Sequence, residues 1–522
     1  MTQRLRTRGV RAIDFAAPAF ASLSAVAAIT ARLRGVDLPA QLYRVGLFHR
    51  SGLTLWNSQW YGGHWTFNYS VLFPPVAGLL GVQLTEILSA ALAAWAFDRL
   101  VVDRFGTRAR LGSAVFAVGT TAQIVVGQVP FLLGEALGTT AFLAVRHRRW
   151  PAATVLALAT ALTSPLAGGF LALAIVAQSL ATWPRDRGPL ALITAASVAP
   201  AIALSLAFPG PGPMPFPAID FVRLTAALAP ACLLLPRRER GLRIAASLYL
   251  AATLISFLVA TPVGENIARL GECVAAPLAV CALANTRGPR LVVAAIIPLF
   301  AVQWTPAIES AAASTADPFA TAAYYRPLLH FLDAHRQPLG RTEIVPTRRH
   351  WEAALAAPHT PLARGWERQL DTSRNHVFYG TGALTPASYR RWLLDAGVRY
   401  VALPDVPLDY AAIAEGRLVE HGTAGLIPVW HDAHWRVFAV AGSNGIVDRP
   451  ARLFKASGDS VIVEAPRAGS LVIRVRYTSH WHVTAGQGCL AATPKGWTEL
   501  VAQRPGVFHL GLSLGGNRGC AK

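Results

Sequence analysis

Long apolar runs separated by short polar loops fill roughly the first three hundred residues of this chain. They lie at 12–33, 82–102, 111–128, 131–145, 150–163, 166–182, 189–207, 219–235, 243–260, 268–285 and 290–304. Runs of this length and composition predict membrane-spanning helices, about eleven in all, with 131–145 and 150–163 at the short limit. From about 316 the pattern changes. AAYYRPLLHFLDAH and PASYRRWLLDAG carry helical periodicity, and RTEIVPT and VRYVALP read as short strands beside them. From about 424, LIPVW, WRVFAVAG, SVIVEA, SLVIRVRY and FHLGLSL are alternating or apolar runs between Gly, Pro, Ser and Asp, the pattern of a small β-sandwich. The expected fold is a polytopic α-helical membrane domain over 1–305 with a polar outer loop at 34–81. An extracytoplasmic α/β domain over 316–423 and a β-sandwich-like domain over 424–522 follow it.

Composition supports this division. With 53% hydrophobic and 15% charged residues among 522, the chain is too apolar for an ordinary soluble protein. The placement of its +20 net charge is more informative than the total. Arg4, Arg6, Arg8 and Arg11 precede the first run; Arg104, Arg108 and Arg110 follow the second; Arg146, Arg148 and Arg149 follow the fourth. Arg185 and Arg187, then Arg237, Arg238, Arg240 and Arg243, then Arg287 and Arg290 fill every second loop thereafter. The intervening loops QVPF, TSPLAGG, FPGPGPMPFPA and TPVGENIAR hold Arg269 alone. By the positive-inside rule the N-terminus is cytoplasmic, and an odd number of spans puts everything after 305 outside the plasma membrane. The opening MTQRLRTRGVR reads as the start of a retained signal anchor. No nucleic-acid, nucleotide-binding or catalytic-triad signature accompanies the basic charge. Cys232, Cys273 and Cys281 lie in apolar runs as small hydrophobes. Cys489 and Cys520 lack metal-ligand spacing, and sequence leaves their pairing open. No metal or cofactor is expected.

The longest polar interruption among the apolar runs is 37–75. Asp37 opens it, and Trp56, Trp60, Tyr61, Trp65, Phe67 and Tyr69 follow, with Asn57, Gln59, His64 and Asn68 among them and Gly62-Gly63 as a turn. Leu38, Leu42 and Val45 recur at helical spacing, as in a short interfacial helix, and Pro74-Pro75 breaks the chain before it re-enters the membrane. Aromatics mixed with hydrogen-bonding groups suit a membrane interface or a sugar-stacking pocket, and the sequence does not choose between them.

The predicted topology gathers this stretch, the Pro/Gly loop at 208–217 and TPVGENIAR on one face. Asp37 has two readings: a residue flanking a membrane helix, or a general base beside a sugar centre. Arg269, an arginine on the non-basic side next to Asn266, suits a lipid phosphate, either a headgroup or a substrate. Glu86 and Glu135 are acids near the outer ends of spans, functional if intramembrane and unremarkable at the water line. Asp220 and Arg223 read as a helical pair, and Ser164-Pro165 as a helix break. His350-Trp351-Glu352 and the group Arg364, Trp366, Glu367 and Arg368 read as packing contacts, with a glycan groove the second reading.

On these residues the chain resembles the GT-C superfamily of membrane glycosyltransferases. It looks most like the bacterial integral membrane proteins labelled as pyruvoyl-tetrahydropterin-synthase-related. The resemblance is carried by Asp37 to Gln41, SGLTLWNSQWYGG at 51–63, TPVGENIARL at 261–270, ARGWERQLD at 363–371 and YRRWLLDAGVRYVALP at 389–404. It implies inverting transfer of a sugar from a polyprenyl-phosphate donor to a cell-envelope glycan or lipid acceptor, among membrane lipids on the outer face. Asp37 is then the catalytic base. Gln41, Trp56, Asn57, Trp60, Tyr61, His64, Asn266 and Arg269 then bind substrate, with Arg269 clamping the phosphate. Many members carry two adjacent acids, whereas here Leu38 follows Asp37. An envelope-assembly scaffold, or a transporter or flippase of lipid-linked intermediates, is the alternative.

Overall fold

A computed structural model describes residues 15–210, 212–283, 289–314, 318–380, 382–423, 425–515 and 519–520. Arg4, Arg6, Arg8, Arg11 and Arg287, and the boundary positions 316 and 424, lie outside the described residues. The chain divides into two compact units. One comprises Met1–Leu38, Asn68–Ala207 and Pro213–Thr315; the other comprises Pro39–Phe67, Phe208–Gly212 and Ala316–Lys522. Residues 39–67 thus group with the C-terminal residues and not with the helices that flank them in sequence.

The first unit is helical. Among the described residues, seven helices are long and apolar enough to cross a membrane: Thr107–Val126, Val129–Arg146, Pro165–Thr182, Arg187–Ala207, Arg240–Leu258, Gly264–Leu283 and Val292–Ser314. An eighth follows if Phe73–Leu80 and Val82–Phe105, bent by 109° at Gly81, form one broken span. The structure therefore supports seven or eight candidate spans and not the eleven expected. Ala16–Thr30 and Trp150–Thr163 are apolar but have only 15 and 14 residues. At 1.5 Å per residue they reach about 22 Å, short of a hydrocarbon core about 30 Å thick. The expected span at 219–235 is the 17-residue helix Ala218–Leu234, which carries Asp220 and Arg223. Small side chains bring the helices close. Ala90, Ala93, Ala94, Ala117 and Ala136 are fully buried in one cluster, beside Phe97 stacked on Phe116 at 4.1 Å.

The second unit is β-rich. Arg341–Ile344 runs parallel to Val398–Pro404, and the helix Pro386–Asp395 precedes the second of these strands. Trp435–Val440 and Leu426–His431 then complete the same four-stranded sheet by antiparallel pairing. The two strands expected to open the β-sandwich thus belong to the α/β sheet, because their hydrogen-bonding edge is that of Val398–Pro404. Two further antiparallel sheets follow. One has Trp481–Ala485, Gly506–Leu512, Ser460–Ala465 and Arg452–Ser457 in spatial order; the other has Gly488–Ala492, Trp497–Ala502 and Gly469–Arg476. Alternate residues turn inward, such as Val461, Val463 and Ala465 on one sheet and Ile473 and Val475 on the other. Cys489 and Cys520 are joined by a disulfide, which ties the C-terminal end of the chain to the strand Gly488–Ala492.

Candidate functional site

In the helical unit, Asp37 and Arg269 are brought together across more than two hundred residues of sequence. The helix Arg110–Val126 ends at Gly127, whose φ of 92° is one that glycine adopts without strain. A Cβ on Gly127 would stand 2.9 Å from the Leu38 Cα, so glycine also lets the chain pass close by. The Asp37 N–H then donates to the Val126 carbonyl at 3.1 Å, which anchors the acid at that helix end. Opposite it, an arginine nitrogen (Nη2) of Arg269 lies 3.5 Å from Asp37 Oδ2, with both side chains partly accessible.

Arg269 owes its position to an irregular helix. Gly264–Ile267 is a 3₁₀ turn, Ala268–Leu270 is α-helical, and Gly271–Ala275 is a π-turn. The cause is a hydroxyl inserted into the ladder. Tyr249 Oη donates to the Ile267 carbonyl at 2.9 Å and accepts from the Gly271 N–H at 3.0 Å, two groups that a regular helix would pair with each other. A Cβ on Gly271 would lie 3.0 Å from that hydroxyl. Asn266 is half-buried one turn before Arg269, and its N–H donates to the Val263 carbonyl.

The Arg269 guanidinium also sits 5.8 Å from the centre of the Phe131 ring. Phe131 and Leu270 line a cavity of about 570 Å³ within the helical unit. Along Val129–Arg146 the lining runs from Phe131 through Glu135, Thr139 and Phe142 to Arg146, about 22 Å of helix. Glu135 is buried and accepts from Gln123 Nε2 at 2.6 Å, while the same nitrogen lies 3.2 Å from Cys273 Sγ. Where the lining reaches Arg146 it also includes Arg104, Arg238 and Arg240, and Arg104 pairs with Glu239 at 2.7 Å. Glu86 is buried near the start of Val82–Phe105. Asp220 and Arg223 pair at 3.3 Å, and Ser164 caps Pro165–Thr182 by accepting from the Ala167 N–H.

The other sequence-predicted site residues belong to the β-rich unit. Gln41, Trp56, Asn57, Trp60, Tyr61 and His64 are all buried. Trp56–Asn57 and His64–Trp65 pair as a minimal hairpin around Gly62-Gly63. Tyr43 stacks on Trp60 at 4.2 Å and donates its hydroxyl to Asn57 Oδ1 at 2.8 Å. Trp56 meets Trp65 and Trp481 edge to face. Gln41 Oε1 accepts from Arg44, and the Tyr61 hydroxyl bonds the Glu367 backbone. The ring faces on which a sugar would stack are therefore taken by protein. His64 Nε2 lies 3.9 Å from Glu367 Oε2, but this is not an ion pair. Burial first, and then Arg374 and Arg44, push the imidazole down to about 3, so it is neutral near pH 7.

The motifs at 363–371 and 389–404 form a buried ionic network. Arg364 holds Asp371 through two hydrogen bonds of 2.9 and 3.2 Å and donates to Glu415 at 2.9 Å, while Tyr389 donates to the other Glu415 oxygen. Burial, then the neighbouring Glu415, push the Glu343 carboxyl up. His350 stacks on Trp366 at 3.7 Å between Glu352 and Asp409. The sequence reading did not single out Arg341, Arg374, Arg476 or Trp497, which converge near Gly62. Arg341 opens the buried strand RTEI, and no sequence pattern marks any of the four. Among the described residues no group of three or more His, Cys, Asp and Glu side chains is placed to hold a metal ion.

The candidate spans and the sheets that follow them define a multi-pass membrane protein with a β-rich C-terminal region. No protein-family model and no curated protein matches the chain. Among solved structures, one described as the single-particle cryo-EM structure of the arabinofuranosyltransferase AftD from Mycobacteria is similar to it. The TM-score is 0.45 at 17% identity, over 90% of this chain and 42% of that one. The chain thus spans less than half the length of that protein.

Proposed function

We propose that this protein is a membrane glycosyltransferase that moves a sugar from a polyprenyl-phosphate-linked donor to a cell-envelope glycan or lipid. The observation that carries the reading is the Asp37–Arg269 contact beside an apolar cavity that shares Phe131 with it. A lipid phosphate competes with Asp37 for the Arg269 guanidinium, and its chain lies along apolar walls. The released Asp37 carboxylate takes the proton of the acceptor hydroxyl as that oxygen bonds to the anomeric carbon. The bond from that carbon to the phosphate oxygen breaks, its electron pair leaves with the polyprenyl phosphate, and the sugar inverts. Arg269 stabilises the charge gathering on the phosphate, the largest electrostatic contribution this pair can make. Asn266 assists from the preceding turn. Gln41, Trp56, Asn57, Trp60, Tyr61 and His64 act by fixing the fold of the stretch after Asp37, since their side chains are enclosed. The arginine alternation orients this chemistry to the extracytoplasmic face, where a lipid-linked donor replaces a nucleotide sugar.

The test is envelope glycan and lipid-linked-sugar composition in a deletion strain complemented with wild type or Asp37→Asn. The expected result is loss of one glycan linkage, persistence of its lipid-linked donor and restoration by wild type alone. Loss of a general base typically lowers turnover by about 10²–10⁴-fold. Full complementation by Asp37→Asn at normal expression would sink the assignment. One observation favours a second reading, lipid transport: the cavity lining reaches a group of arginines as well as Phe131. Under that reading Asp37→Asn complements while the lipid-linked donor changes leaflet.

A further inference from the structure

In the β-rich unit the guanidinium groups of Arg341, Arg374 and Arg476 donate to backbone carbonyls and, among the described residues, hydrogen-bond to no carboxylate. Arg341 opens the strand Arg341–Ile344 and is 1% exposed. One of its terminal nitrogens donates to the Ala396 carbonyl at 2.6 Å and the other to the Arg474 carbonyl. Arg374 ends the helix Arg368–Arg374 and donates to the Gly63 carbonyl at 2.5 Å. Arg476 ends the strand Gly469–Arg476 and donates to the Lys495 carbonyl at 3.0 Å. Each of these acceptors is a neutral backbone oxygen. By contrast, Arg364 has carboxylates at 2.9 Å, and Arg474 has Asp448 at 3.0 Å.

The three cations lie close together. Arg341 and Arg476 both lie over the Trp497 ring, at 5.6 and 3.9 Å from its centre. Burial, then Arg476 and Arg474, disfavour the charge on Arg341; on Arg374, burial and then Arg476 outweigh the favourable influence of Glu367 and Tyr61. Arginine stays protonated in proteins, so the strain is relieved by an anion and not by loss of a proton. Three buried donors of these residues have no hydrogen-bond partner: Arg341 Nε, Arg476 Nε and Trp497 Nε1. Gly62 closes one side. A Cβ there would stand 2.6 Å from the Trp497 ring and 3.2 Å from an Arg341 terminal nitrogen, and the Gly62 carbonyl accepts from the Arg476 N–H at 2.8 Å. Arg374 and Arg476 are only half-buried.

We propose that Arg341, Arg374, Arg476 and Trp497 form a binding site for an oxyanion, the phosphate or carboxylate of a ligand of the β-rich unit. Guanidinium forks and an indole N–H match either group. A phosphodiester-bearing or a uronate-bearing glycan supplies this chemistry. The site stands whether or not the chain transfers sugars.

The test uses the full chain in nanodiscs of zwitterionic lipid, titrated with inorganic phosphate or with glucuronate at constant ionic strength. Binding isotherms and the thermal midpoint are both read. The expected result is saturable binding with a raised midpoint, weakened about tenfold or more in Arg374→Gln and in Arg476→Gln. The exposed Arg467→Gln serves as the unchanged control. Tighter phosphate points to the phosphodiester source and tighter glucuronate to the uronate source. If neither anion binds saturably or moves the wild-type midpoint, the site is refuted. Unaltered binding in both variants refutes it equally, and the wild-type titration decides alone if the variants fail to fold.

Discussion

Asp37 and His64 show how environment decides what a polar side chain can do. Asp37 is held at a helix end by its own N–H, and its carboxylate is left to meet Arg269. His64 is enclosed between Trp60 and Tyr61 and kept neutral. Its pKa is 6.5 in the unfolded chain and about 3 in the folded one. Between those values the unfolded chain binds a proton at residue 64 that the folded chain does not. The stability associated with neutral His64 is complete above pH 6.5 and is lost as pH falls toward 3, at up to about 1.4 kcal/mol per pH unit. Denaturation midpoints of the full protein in detergent at pH 7 and pH 5 check this. His64→Gln should flatten the difference, and an unchanged slope would show that another group is responsible.

At the scale of elements, the helix carrying Arg269 is shaped by one tyrosine. The Tyr249 hydroxyl bridges Ile267 and Gly271, and the π-turn that follows sets which residues face the cavity. Tyr249→Phe removes a donor and an acceptor that two buried backbone groups use. The expected cost is about 1–3 kcal/mol, read as a lower thermal midpoint in detergent. The proposed transfer activity should fall with it, because Arg269 lies within the reshaped turn. A variant with wild-type midpoint and activity would mean that the backbone closes its own bond at no cost. The sheets teach a related lesson. Leu426–His431 and Trp435–Val440 have clear strand character, but only pairing with Val398–Pro404 assigns them to the α/β sheet.

For the whole molecule, the two units are interleaved in sequence. Residues 39–67 leave the helical unit, and 208–212 do so again, before the chain enters the β-rich unit for good at 316. The arginine alternation predicts which side of the membrane each loop faces, and labelling tests it. A cysteine in place of exposed Ile427 should react with an impermeant maleimide in intact cells, and one in place of Arg185 only after lysis. Labelling of Arg185→Cys in intact cells would invert the topology and remove the extracytoplasmic donor from the proposed reaction.

The sequence by itself determined the membrane character, the change of composition near 316 and most of the strands. Each rests on local hydropathy or a period of two, which neighbouring residues alone specify. It also flagged Asp37 and Arg269, since a charge beside a long apolar run is visible without a fold. Only the tertiary structure decided that these two meet, because their approach depends on Gly127 and the Tyr249 bridge. It likewise decided that the Trp–Gly stretch is enclosed. Aromatic residues that line a pocket and aromatic residues that fill a core have the same composition, and burial by distant segments tells them apart. Arg341, Arg374 and Arg476 were silent in the sequence for a similar reason. An arginine whose hydrogen bonds go to backbone carbonyls can be recognised only once the neighbours brought in by the fold have been placed.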